Sequence, residues 1–577
     1  MEHVEPDHDA VGRLRRKVAS TLSWLRRVPT PVLWLCGLHL FMLVGFSILT
    51  PTWRAPDEPN HADLIIGVRE SWSYPRYDGR DVDPGVRGSF SLVHLERRSR
   101  NLLRQEALPR DERPSRVDLR KAGEDVDLQL TGRPGIGNHI PQHPPGYYVV
   151  TAVAAQGVDL LLPGDGLGAY DREVGIIRML SLAVAVPLPL VAWWVAQGAG
   201  APRSAAIAAA IAPLAIPQLT HIASVVNSDA TTVVLFGLIT GLIVRVGRGD
   251  LALRTVAVLG ALTGVAFFVK GTAFVVPAWA FVALAIGYRR LRRVEHTEDD
   301  TDETEVGTGD VAAGAAAGGW RWPLARLATF SVTAFVLGGW WWVANIVRFG
   351  TYWPSIEFST RLSALRVRPP GFEPQPLEWF KAWAPAVVRR YWGEFGWVDF
   401  AIPAGAIRIA SLVVVCGVLL LVWPSVRGSR ARLDGPTVLL LGLPTILLAL
   451  LFGANTYIFY RDAGYMVGVQ GRYLFGGIVG LAVVVAAGWQ RVAGRWAPLA
   501  LLCAAVVLQG LAVRAMLHFW WGAADASLTE RLRAMLAWST WPGELVGLLA
   551  VLGALVALAT VRSLVLEARR TMVAGRL

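Results

Sequence analysis

The acids of "APDEPNH", Asp57 and Glu58, are the groups in this chain best able to take a proton from a hydroxyl, and they follow closely on about twenty apolar residues. His61 closes the same stretch. Farther along, "HIPQHPPGYY" carries Gln142 and His143, "VNSDA" carries Asn227 and Asp229, and "VKGT" carries Lys270. "YWGEFGW" then carries Glu394, and "GVQGRYLFG" carries Gln470, Arg472 and Tyr473, with Arg461 shortly before. Such a set can pair a carboxylate base with cations that hold a phosphate, lysine as a point charge and arginine as a fork. The His/Asp/Glu positions lack metal-ligand spacing, and the sequence has no Walker A, GxSxG or GxGxxG pattern.

Each residue also has an ordinary structural explanation. Pro59 suits the first turn of a helix that Asp57 or Glu58 could cap, with Leu64, Ile65, Val68 and Trp72 as an apolar stripe lying on the membrane. A capping carboxylate stays ionised at the positive end of the helix dipole, so capping and proton transfer are compatible. Asn227 and Asp229 could cap the helix after them, and Lys270 could snorkel to water.

These residues must be positioned by membrane spans. Of 577 residues 53% are hydrophobic and 17% charged, with a mean hydropathy of +0.42, which is too apolar for an ordinary soluble enzyme. The apolar runs predict an all-α polytopic membrane protein with about twelve transmembrane helices. They lie near 31–50, 174–197, 204–226, 229–245, 254–270, 271–288, 326–347, 403–423, 436–455, 473–489, 497–513 and 543–561. Cys36, Cys416 and Cys503 fall inside such runs and read as core filler.

The net charge of +12 sits mainly in short basic clusters beside the spans, a topology signal rather than a nucleic-acid footprint. Clusters at 13–17, 245–254, 288–293, 427–432, 490–495 and beyond 562 put both termini in the cytoplasm. The segments 51–173, 348–402 and 455–470, and the tight turns at 226–230 and 269–272, then face outside. The apolar stretch 146–163 reads as an interfacial helix there, because counting it as a span would invert every later loop. The loop 73–138 is either an acceptor-binding lid or a solvated insert. Residues 289–325, acidic and then Gly/Ala-rich, read as a disordered cytoplasmic linker. Under this topology the acids, histidines, lysine and arginines converge on one outer face, where polar groups at a membrane mark function. The mix suits an anionic lipid donor meeting a polar acceptor.

In that order, "APDEPNH", "QHPPGYY", "NSDA", "YWGEFGW" and "VQGRYLFG" resemble the membrane family called domain of unknown function 2142, over about residues 51–475. That family in turn resembles the glycosyltransferase-C superfamily, which includes protein O-mannosyltransferases, aminoarabinose transferases and arabinosyltransferases. The resemblance implies an integral enzyme of the cytoplasmic membrane whose site faces outward. A basic head (1–30) would precede a catalytic module (31–347), followed by an external loop (348–402) and variable helices (403–577). Its donor would be a sugar on polyprenyl phosphate, its acceptor an envelope glycan, glycolipid or protein, its surroundings membrane lipid, and its outcome inversion.

Carried onto this sequence, the resemblance makes Asp57 the base, Glu58 its partner or alternative, and Asp229 the acid of the second loop. Arg472 and Lys270, with Arg461 behind them, would hold the phosphate. His61 and His143 would orient acceptor or phosphate, and Glu394, Gln470 and Tyr473 would complete the substrate site. Some superfamily members use a divalent cation, and a magnesium or manganese ion here would fall to Asp57, Glu58 and Asp229 if folding joins them. Two other readings stand beside this one. A lipid-linked glycan transporter or flippase should show matched repeats and broken midplane helices, which the sequence lacks. An envelope glycan polymerase or ligase would differ in taking a lipid-linked oligosaccharide.

Overall fold

A computed structural model of the chain describes residues 27–95, 106–131, 137–162, 167–298, 321–355, 368–423 and 433–574. The first half runs α1 (Thr30–Leu49), α2 (Glu58–Ser71), α3 (Pro84–Leu92), α4 (Arg120–Thr131), α5 (Gly146–Leu161), α6 (Tyr170–Ala185), α7 (Leu188–Gly198), α8 (Arg203–Ile211), α9 (Pro217–Ala223), α10 (Asp229–Gly247), α11 (Leu253–Val269) and α12 (Val276–Glu298). The second half continues with α13 (Arg321–Ala334), α14 (Trp340–Phe349), α15 (Pro376–Trp392), α16 (Ala404–Val422), α17 (Gly435–Ala463), α18 (Ile478–Ala493), α19 (Ala497–Trp520), α20 (Leu528–Trp538) and α21 (Gly543–Ala574). Among the described residues the one sheet is a two-stranded hairpin, β1 (Glu394–Phe395) against β2 (Phe400–Ala401).

The chain is an all-α polytopic membrane protein. Among the described residues nine helices are long and apolar enough to cross a bilayer, or ten if α8 and α9 form one bent span. The expected count of about twelve is higher for identifiable reasons. Helix α11 has 17 residues, and the stretch Gly471–Trp520 counts once although it holds both α18 and α19. A straight helix of that length would reach about 75 Å, far beyond a bilayer core of about 30 Å. Gly494, with φ of 56°, breaks it. Between α8 and α9 the chain turns by 68°, at a break flanked by Pro213 and Pro217. Gln509 of α19 answers the break by donating to the Leu214 carbonyl at 2.7 Å and to Thr220 Oγ1 at 2.9 Å.

The helices share two ends. At one, Trp521 donates to the Leu49 carbonyl at 2.8 Å, Trp397 to the Trp53 carbonyl at 3.2 Å, and Thr540 to the Asp171 carbonyl at 3.2 Å. At the other, Arg248 donates to the Ala199 carbonyl at 2.9 Å, Arg290 pairs with Asp434 at 2.7 Å, and Arg491 donates to the Leu420 carbonyl at 2.6 Å. The short basic loops that lie within the described residues gather at this second end. The head 1–26 lies outside the described residues, as do 299–320 of the expected linker. The parts of that linker that are described, 289–298 and 321–325, belong to α12 and α13.

The stripe Leu64, Ile65 and Val68 does not lie on the membrane. All three are buried, in a core shared with Tyr148 and Ile177, because α2 packs against α5. Only Trp72 of that set is exposed, at 60%. The apolar surface falls instead to α5, which shows Val150, Val153, Leu160 and Leu161 to the outside and is not among the spans. In the loop 73–138, α3 and α4 pack on each other, and ion pairs tie them down. Arg116 meets Glu70, Asp83 and Glu173, while Arg113 meets Asp171 at 2.5 Å. This part of the loop is built into the molecule.

Candidate functional site

The turn after α1 contains two non-glycine residues in the left-handed region, Trp53 (φ 66°) and Asp57 (φ 59°). Aspartate tolerates that conformation better than most residues. It places Asp57 at the N-cap of α2, yet its side chain makes no capping hydrogen bond. The capping role expected for it is therefore absent, and the carboxylate turns toward a different partner. Arg472 Nη2 donates to Asp57 Oδ2 at 3.1 Å, and His139 Nε2 stands 3.8 Å from Oδ1.

Glu58 has a separate environment. It is fully buried, with Arg178 of α6 donating to both its oxygens at 2.7 Å. The backbone N–H groups of Trp53 and Val226 donate to the same carboxylate at 3.2 Å. Arg178 completes the knot by donating to the Ser47 and Thr50 carbonyls at 2.8 Å. Glu58 thus joins the end of α1, the middle of α6 and the turn that leads into α10.

That turn delivers Asp229. Asn227 Oδ1 accepts its N–H at 2.8 Å, and the Asp229 carboxylate takes the ammonium of Lys270 through Oδ1. Lys270 stands at the end of α11 in extended backbone. Arg472 Nε lies 3.5 Å from Asp229 Oδ2 without hydrogen-bond geometry, so one buried guanidinium faces both Asp57 and Asp229. Its Nε and Nη1 have no hydrogen-bond partner, and neither has Asp229 Oδ2. Beside them is a narrow cleft lined by Asp229, Thr232, Thr272, Arg472 and Tyr473. Tyr473 lies 5.7 Å below the Lys270 ammonium and stacks on Phe452.

Arg472 is held by what precedes it. Gly471 lies so close to α15 that a methyl group there would collide with Tyr391 N and the Val387 carbonyl. Arg390 of α15 donates to the Val469 carbonyl, and Glu394 fixes Arg390 at 2.8 Å and Arg389 at 2.7 Å. Glu394 is therefore a brace for the segment rather than a lining group. Gln470 is half-buried and accepts the Tyr473 N–H through its carbonyl at 3.4 Å. Arg461, exposed at the end of α17, pairs with its neighbour Asp462 at 2.8 Å and is not brought to the carboxylates.

The histidines differ in their partners. His61 is buried, its Nδ1 is 2.9 Å from the Tyr148 hydroxyl, and its ring stacks on Tyr148 at 5.8 Å. Burial, with Lys270 nearby, holds it well below the usual imidazole range. Burial also takes His143 down to about 3, with Lys270 adding to the shift. His143 Nδ1 has no hydrogen-bond partner, while its carbonyl accepts from Tyr74 at 2.7 Å. Both rings are neutral at physiological pH. His139 is 38% exposed.

Sequence reasoning missed Arg178, Asp63 and His139. Asp63 is fully buried, taking Arg80 through both oxygens at 2.7 Å and Asn138 Nδ2 at 2.7 Å, which docks the stretch carrying His139 against α2. The signal for Asp63 and Arg178 was available: each is a charge inside an apolar run, "ADLIIGV" and "GIIRML".

The carboxylates do not fit a divalent cation. Glu58 belongs to Arg178, and Asp57 and Asp229 both face the guanidinium of Arg472. Among the described residues no group of three His, Cys, Asp or Glu side chains is arranged to hold a metal.

A family model described as "Predicted membrane protein (DUF2142)" matches residues 40–481. No curated protein matches the chain. Among solved structures, ArnT from Cupriavidus metallidurans bound to undecaprenyl phosphate is similar at 15% identity and a TM-score of 0.42, over 91% of this chain and 77% of that one. The apo oligosaccharyltransferase of Archaeoglobus fulgidus is similar at 11% identity and a TM-score of 0.40, over 89% of this chain and 56% of that one. The archaeal oligosaccharyltransferase AglB from the same organism, in complex with an inhibitory peptide and a dolichol-phosphate, gives 12% and 0.39, over 94% and 55%.

Proposed function

The chain belongs to the DUF2142 family of predicted membrane proteins, and from that premise we propose that it is a membrane glycosyltransferase. It moves a sugar from a polyprenyl-phosphate donor to an envelope glycan, glycolipid or protein, with inversion at the anomeric carbon. The observation that carries this reading is Arg472, which faces Asp57 through Nη2 and Asp229 through Nε and keeps Nη1 buried without a hydrogen-bond partner beside a narrow cleft. Leaving a buried donor unsatisfied costs about 1–3 kcal/mol, and more for charged groups, so the position favours an anionic oxygen. Lys270 supplies a second cation on the far side of Asp229.

In this reading the donor phosphate takes its place against Arg472 and Lys270. The acceptor hydroxyl oxygen attacks the anomeric carbon from the opposite side, and its proton passes to Asp57. The bond from that carbon to the phosphate oxygen breaks, and the departing phosphate keeps the electron pair, its charge met by the two cations. Glu58, clamped by Arg178, anchors the backbone next to Asp57, and Asp229 orients the cations. Thr272 and Tyr473 line the cleft the donor enters. No step needs a metal.

The charge distribution supports an outward-facing site, since the basic loops gather at the opposite end and short basic loops stay in the cytoplasm. A reconstituted transfer assay with labelled polyprenyl-phosphate sugars tests the proposal. Wild type should consume one donor, and Asp57→Asn and Arg472→Gln should not. Undiminished transfer in both variants would remove the assigned roles, and movement of lipid-linked glycan between leaflets without donor consumption would make the protein a flippase.

A further inference from the structure

Asp57 offers its two oxygens to different partners: Oδ2 takes Arg472, while Oδ1 looks toward His139 Nε2 at 3.8 Å. That leaves a question the transferase reading raises and does not answer, namely where the proton goes after Asp57 receives it. Asp57 is 28% exposed and lies beside a site that a lipid phosphate and an acceptor would fill. A carboxylic acid enclosed in that way must return its proton to water before a second turnover.

Three histidines lie near the carboxylates, and His139 is the one whose ring stands within 4 Å of Asp57. His61 is buried, hydrogen-bonded to Tyr148 and stacked on it. His143 is part-buried, its Nδ1 has no hydrogen-bond partner, and desolvation holds its ring neutral. His139 is held in place by its neighbour: Asn138 donates to Asp63 Oδ2 at 2.7 Å and its backbone N–H to the Arg80 carbonyl at 2.8 Å. The imidazole itself remains 38% exposed. A half-exposed imidazole beside a carboxyl group is the side chain suited to carry a proton between that group and water.

We propose that His139 is the proton relay of this site. It rests on the transferase reading above. After Asp57 Oδ1 has taken the proton of the acceptor hydroxyl, the O–H bond breaks toward neutral His139 Nε2, leaving an imidazolium beside a carboxylate. The imidazolium then releases a proton to water and returns to its starting state, so charge and protons balance over the cycle. Asp57 at the start of α2 faces this group directly, and behind Asp57 stand Arg472 of the segment before α18, Asp229 of α10 and Lys270 at the end of α11, each paired to the next. His61 and His143 face it as neutral rings, and Arg80 is engaged by Asp63.

The test uses the full chain in liposomes. His139→Ala should melt like wild type, keep the donor KM, and lower kcat by about tenfold or more, the lower range for acid–base groups. Added imidazole should restore much of the loss, and the acid limb of the wild-type profile should vanish in the variant. An unchanged kcat, or a loss that imidazole does not repair, overturns the relay. Carbethoxylation of His139, followed by mass spectrometry across pH, provides a readout independent of transfer. Asp57→Asn should lower the pH at which His139 becomes reactive, whereas an unchanged profile would overturn the pairing. If wild type consumes no donor while Asp57→Asn still shifts the His139 profile, the transferase reading fails and the pair stands.

Discussion

Arg178 closes Nε and Nη2 on the two oxygens of Glu58, each at 2.7 Å, inside a region from which water is excluded. The pair has its remaining valences occupied by backbone groups of two separate segments, 47–53 and the turn at Val226. Removing one partner of such a pair strands the other charge.

Glu58→Gln should therefore damage the fold. Breaking a buried ion pair by deleting one charge costs about 3–5 kcal/mol. The variant should melt well below wild type in detergent, whereas Asp57→Asn, whose side chain is part-exposed, should melt close to wild type and lose transfer. The reverse pattern would exchange the roles given to these adjacent acids.

Arg472→Lys keeps the charge but not the fork. A lysine ammonium cannot face Asp57 and Asp229 and still present two further N–H groups. Transfer should fall by about a hundredfold, the scale of losing one preorganised donor to a transition-state oxygen. Gly471→Ala, which pushes the same segment off Tyr391 and Val387, should give a smaller loss seen mainly in donor KM. Full activity in Arg472→Lys would show that charge alone suffices.

The buried rings predict a pH dependence of stability. His143 is held at about 3 when folded, against an ordinary value of 6.5. Between those values the unfolded chain binds a proton that the folded chain does not, so stability falls as pH drops below 6.5. At pH 5 the loss from His143 should be about 2 kcal/mol, with His61 acting in the same direction. Thermal melts from pH 7.5 to pH 5 should show a decline that His143→Asn makes shallower. An equal slope in the variant would assign the decline elsewhere.

Orientation is testable by labelling. With Cys36, Cys416 and Cys503 replaced, Glu112→Cys lies at the site end and Arg254→Cys at the basic end, both exposed. A membrane-impermeant maleimide applied to intact cells should reach the first and not the second. Labelling of Arg254→Cys alone would turn the site toward the cytoplasm.

The spans were legible because twenty-residue apolar runs have few alternatives, and every expected segment overlaps a helix. The count was less legible, because a hydropathy run does not reveal that Pro213 and Pro217 bend one segment or that α11 stops at 17 residues. At the site, the sequence pointed to the residues that meet, Asp57, Asp229, Lys270 and Arg472, since each interrupts apolar sequence. It could not tell Asp57 from Glu58. That difference depends on Arg178, which lies 120 positions away from Glu58 and reads locally as one charge on an apolar helix. Arg461 shows the opposite error: a cation at a span end, paired with its neighbour and left outside the cluster.

The left-handed backbone at Asp57 has a consequence for what evolution or a designer can place there. With φ near 59°, the position admits short side chains whose oxygen or nitrogen can settle against the local backbone, and it penalises longer or branched ones. Lengthening the acid by one methylene, ordinarily the mildest exchange available to an aspartate, would here strain the main chain and overshoot the Arg472 fork at once. Site 57 is chosen by its torsion angle before it is chosen by its charge.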